Sequence, residues 1–83
     1  MANGNMKAPS IMETFTATFS TSQYTGWYYA DYTPSHSVDD LESVIIRSTT
    51  ENRPAFAQIV GSGIRIWGCV SGGTVIGYAY FRQ

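Results

Sequence analysis

The chain has 83 residues, enough for a single domain near the size at which burial only just offsets the entropy of ordering the backbone, so a second domain is excluded. Charged residues are 13% of the chain, against roughly 25% in an average globular domain, while aromatic residues reach 14% and the formal net charge is −1. Lys7 is the sole lysine, which leaves no basic stripe for nucleic acid, and Cys69 is the sole cysteine, which excludes an internal disulfide framework.

The first ten residues, "MANGNMKAPS", are small and polar, without hydrophobic period, and read as a flexible arm over 1–10 ahead of one domain over 11–83. They lack the cationic start and apolar run of a secretory signal, and no later segment approaches the ~20 apolar residues of a spanning helix. The expectation is a protein made in the cytosol and found there or in a virion, with no membrane partner. "IMETFTATFS" alternates strictly: Ile11, Glu13, Phe15, Ala17 and Phe19 point one way, and Thr14, Thr16, Thr18 and Ser20 the other, as in a half-buried strand.

"YTGWYYADY" follows as a second extended segment, with Trp27 and Tyr29 on one face and Tyr28, Ala30 and Tyr32 on the other. "TPSHSV" is a loop. Ser37, followed by Asp40 three residues later, can start a helical turn, but the β-branched run Val44, Ile45 and Ile46 favours a strand over 43–49. "ENRP" is a turn. Pro54 cannot donate to a ladder, so the strand "AFAQIV" starts just past it, and "GSG" turns the chain again. The last two strands, 64–70 and 74–82, flank Gly72 and Gly73, a pair that permits the positive φ of a tight hairpin. Six short strands and no long helix predict an all-β, antiparallel sandwich or small barrel ending in a C-terminal Gly-Gly hairpin.

Pairing that hairpin about its glycines puts Val70 opposite Val75, Cys69 opposite Ile76, and Gly68 opposite Gly77. Ile64, Ile66, Gly68, Val70, Val75, Gly77, Ala79 and Phe81 then form an aliphatic core side. The reverse side sets Trp67 against Tyr78 and Arg65 against Tyr80. Rings with polar tips beside a guanidinium suit an interface, so this side is expected to meet a second copy of the chain. The N-terminal arm or the Thr33–Val38 loop is an alternative cover, and an open ligand surface is a third. The candidate interface or ligand-binding residues are Trp67, Tyr78, Tyr80, Arg65, Trp27 and Tyr29.

No catalytic, cofactor or metal motif stands out. Ser35, His36 and Asp39 hold the residue types of a hydrolytic triad, but adjacency in one loop does not set its geometry. Asp39, Asp40, Glu42 and Asp31 lack the spacing of a calcium loop and read as a solvated acidic turn. The run Tyr24, Trp27, Tyr28, Tyr29 and Tyr32 reads as core and interface packing in preference to a platform for stacked sugar rings.

"DLESVIIRSTTENRP", followed by "IRIWGCVSGGTVIGYAYF", resembles the small β-domains of bacteriophage tail fibres and baseplates over roughly residues 40–83. The resemblance rests on pattern, and the chain departs from the family in lacking a long shaft. It implies a non-enzymatic virion structural or attachment protein, a homo-oligomer with a trimer favoured, touching other virion proteins or a host surface glycan. A lectin-like carbohydrate-binding module and a phage-encoded inhibitor of a host protein are the alternatives.

Overall fold

The computed structural model describes residues 10–48 and 54–83, which form seven β-strands and one short 3-10 turn. The strands are β1 (Ile11–Thr18), β2 (Thr21–Tyr24), β3 (Trp27–Tyr32), β4 (Leu41–Ser48), β5 (Ala55–Val60), β6 (Gly63–Gly68) and β7 (Thr74–Phe81). They make two antiparallel sheets, a three-stranded one in the order β1-β7-β4 and a four-stranded one in the order β2-β3-β6-β5. The all-β sandwich expected from alternation is therefore the architecture. The expected arm over 1–10 and the turn "ENRP" lie almost wholly outside the described residues.

Local chemistry accounts for most element boundaries. Gly26, at φ 81°, turns β2 into β3; β2, which shares only Tyr24 with the expected segment "YTGWYYADY", is the strand that raises the count from six to seven. The Ser37 side chain accepts from the Asp39 amide at 3.2 Å and caps the 3-10 turn Val38–Asp40, after which the β-branched run extends as β4. Contacts between the sheets run from β1 to β3 and from β4 to β5.

The C-terminal pair corrects the sequence reading. The strands flanking the glycines do not form a hairpin: β6 pairs with β3 and β5, whereas β7 pairs with β1 and β4 in the opposite sheet. The turn closes with the Gly73 amide on the Val70 carbonyl at 3.1 Å, and of the two glycines Gly72 takes positive φ, 76°. Gly72 and Gly73 then bond the backbone of Phe19, at 2.7 and 2.9 Å, hooking the crossover to the end of β1. In a hairpin the two aliphatic faces would lie side by side on one sheet. Placed in different sheets they face each other and bury one another, which removes far more apolar surface from water.

The residues assigned to the core side are therefore right even though their pairing is not. Ile64, Ile66, Val75, Ala79 and Phe81 join Phe15, Ala17 and Phe19 in one buried cluster, whereas Val70 is half-buried in the crossover turn. Two glycines give the large rings room. Phe15 lies directly opposite Gly77, stacked on Tyr32 at 4.2 Å and 7°, and Phe19 lies over Gly68. A methyl group at Gly77 would fall 2.6 Å from both Cε atoms of Phe15. Gly77→Ala is expected to destabilise the fold by about 1–3 kcal/mol, read from urea denaturation; an unchanged midpoint would mean that the Phe15 ring moves freely.

Candidate functional site

Each strand of the four-stranded sheet turns alternate side chains away from the core, and together these make an aromatic outer face. Tyr29 and Phe56 flank Trp67 from the neighbouring strands β3 and β5, and in the next row Asp31 and Gln58 flank Arg65. Trp67 forms the floor. Its ring centroid lies 5.2 Å from Tyr29, 5.8 Å from Tyr24 and 6.3 Å from Phe56, and its indole N–H donates to Gln58 Oε1 at 3.0 Å. Trp27 meets Phe56 edge-on at 5.6 Å. Tyr24, Trp27, Phe56, Ala57, Gln58 and Trp67 line an open groove of about 620 Å³.

Arg65 is fixed over this floor. Its guanidinium donates to both oxygens of Asp31, at 2.8 and 3.2 Å, and lies 4.0 Å from the centre of the Tyr29 ring. The Asp31 hydrogen bonds raise the already high pKa of Arg65. The pair cancels its own charge, so the face is close to neutral.

The six candidate residues divide between two faces. Trp27, Tyr29, Arg65 and Trp67 share the four-stranded sheet, whereas Tyr78 and Tyr80 lie on the outer face of the three-stranded sheet, between Thr14 and Ile45 and between Met12 and Ser43. Trp67 therefore does not oppose Tyr78, because β6 and β7 are in different sheets. Nor is Trp67 left bare: it is 6% exposed and packs against the rings of Tyr24, Tyr29 and Phe56 in its own sheet. The exposed rings are its neighbours Tyr24, at 59%, and Phe56, at 49%. Phe56 was missed as a site residue although "AFAQIV" carries the signal, a phenylalanine alternating with two alanines that face the core.

A second constellation was not anticipated. Glu13 belongs by parity to the inward row of β1, and its side chain, 11% exposed, meets the loop after β3. Tyr32 Oη donates to Glu13 Oε1 at 2.5 Å, as does the Ser35 amide at 3.1 Å; Ser35 Oγ and the His36 amide donate to Oε2, both at 3.0 Å, and His36 Nδ1 contacts that same oxygen. Burial alone would raise the Glu13 pKa, but these hydrogen bonds outweigh it and hold the carboxyl down at about 2. Tyr32 is pushed up to about 12, by burial and by its bond to the carboxylate. The His36 ring leans on Phe81 at 5.3 Å. In a hydrolytic triad the serine donates to the imidazole nitrogen remote from the carboxylate; here serine and histidine both address the carboxylate, an arrangement that clasps the loop to β1.

The acidic residues do not gather: Asp31 is paired with Arg65, Asp40 with Arg82 at 3.5 Å, and Glu42 accepts from Ser10 at 2.7 Å. Among the described residues no group of three or more His, Cys, Asp or Glu side chains is placed to hold a metal ion, and no helix is long and apolar enough to cross a membrane. Comparison with protein-family models, with curated proteins and with solved structures finds no match to this chain.

Proposed function

We propose that this protein is a non-enzymatic structural or attachment module that works as a homo-oligomer through its aromatic sheet faces, in the manner of the phage tail-fibre and baseplate domains its C-terminal half resembles. The observation that carries the reading is the half-exposed pair Tyr24 and Phe56 beside a buried Trp67 on a face whose one ion pair neutralises itself. Large rings left open around a packed, neutral floor are the composition of an interface core, where desolvation costs little and contact area is large. Met12 and Ile45, each about half exposed beside Tyr78 and Tyr80, make the opposite face a second candidate contact.

Light scattering on the purified protein tests this. The expected result is a solution mass that is a multiple of the chain mass, with a trimer the value the phage resemblance implies. A monomer at all concentrations would overturn the oligomeric reading. The groove walled by Tyr24, Trp27 and Phe56 supports a second reading, a carbohydrate-binding module, which predicts a monomer whose tryptophan fluorescence changes on titration with neutral oligosaccharides.

A further inference from the structure

We propose that β5 is the assembly edge: it pairs antiparallel with β5 of a second copy across a twofold axis at Gln58, joining two four-stranded sheets into one of eight strands. This inference rests on the homo-oligomeric reading, but it commits to a twofold pair of copies in place of the trimer that the phage resemblance implies. Among the described residues β5 pairs only with β6 and forms one margin of its sheet, so a row of its backbone amides and carbonyls has no strand partner. Such edges are ordinarily blunted by a charge, an internal proline or a bulge. "AFAQIV" has none: it carries no charged residue, Pro54 precedes it, and its register with β6 runs unbroken from Ala55–Gly68 to Val60–Gly63.

Its side chains are equally uncovered. Phe56 is 49% exposed, Ile59 52% and Val60 39%, half of the large hydrophobics left exposed in the described protein. Ile59 shares the inward parity of Ala55 and Ala57, so β5 has open apolar surface on both faces at its C-terminal end, which a neighbouring strand's side chains would flank.

The identity of that neighbour follows from parity. Residues opposite one another in an antiparallel pair share a face, so a twofold axis in this edge must pass through a residue. Placed at Gln58, it sets Phe56 against Val60 of the second copy, Ala57 against Ile59 of the second copy, and the two Gln58 amides against each other. Each exposed apolar side chain of β5 then meets an apolar one, with the larger Ile59 opposite the small Ala57, and no charge opposes a like charge. A foreign peptide would have to supply this complement; a second β5 already does. The pairing is isologous and consumes the edge it uses, which closes the assembly and prevents open-ended strand addition. The Tyr29–Trp67–Phe56 row of each copy then runs on into Val60 of the other.

Charge substitution at the axis tests the register. Gln58→Glu places two carboxylates face to face, and Gln58→Lys two ammonium groups; either alone is expected to weaken self-association about tenfold or more, seen by analytical ultracentrifugation, with far-ultraviolet circular dichroism confirming that the subunit stays folded. Mixing the two variants is expected to restore association as a heterodimer, resolved by native mass spectrometry. Gln58→Glu retains an acceptor for the Trp67 indole, so its effect reports on the edge rather than the floor. A wild-type monomer would refute both the oligomeric reading and this edge. An oligomer of odd stoichiometry, or one indifferent to charge at position 58, would refute the edge alone and leave association through another face.

Discussion

Glu13→Ala is expected to remove a large share of the stability of this domain. One carboxylate answers donors from Tyr32, Ser35 and His36, and without it Tyr32 Oη and the loop amides lose their acceptor at a poorly solvated seam. A carboxyl held at about 2 in the fold, against 4.5 when free, is worth on the order of a few kcal/mol, a large share of the roughly 5 kcal/mol typical of so small a domain. The sign is that of a depressed acid: the contribution is complete above pH 4.5 and is lost as pH falls towards 2. Thermal denaturation from pH 6 to 2 should therefore show wild-type stability falling through that window and Glu13→Gln falling much less. Parallel curves would dismiss the clasp. Tyr32 has the opposite sense, contributing below pH 10 and losing its contribution as pH rises through about 12.

Trp67→Ala is expected to be as damaging, by roughly 3–5 kcal/mol, although the ring is on the outside of a sheet. The outer face forms a packed layer of its own, in which Trp67 is almost fully covered by Tyr24, Tyr29 and Phe56 and its N–H is satisfied by Gln58. Removing the indole opens a cavity and unpairs Gln58. Urea denaturation monitored by circular dichroism is the direct measurement, and Trp67→Phe should recover most of the loss, leaving about 1 kcal/mol for the missing hydrogen bond. A Trp67→Ala protein that kept full subunit stability but lost its oligomer would mean that other copies, not its own sheet, cover the ring. The contrast with Gln58→Glu, which keeps an acceptor for the indole, is then informative: one disturbs the floor within a subunit, the other the edge between subunits.

The sequence by itself determined which way each side chain points. A strand has a period of two, so the alternation in "IMETFTATFS", "GIRIWG" and "TVIGYAYF" assigns Phe15, Ile66 and Ala79 inward and Trp67 and Tyr78 outward whatever the strands pair with. Turn chemistry likewise marked the Ser37 cap and the starts of β5 and β7. Only the tertiary structure decided the neighbours. A local rule favours a hairpin at Gly72-Gly73, but apposing the two aliphatic faces across the core buries more surface than pairing them edge to edge, and that comparison involves the whole chain. The same holds for Glu13, which alternation could mark only as a member of an apolar row. Its donors lie 19 to 23 residues away on β3 and the following loop, and neither spacing nor composition encodes that meeting, because it exists only once the two sheets have closed on each other.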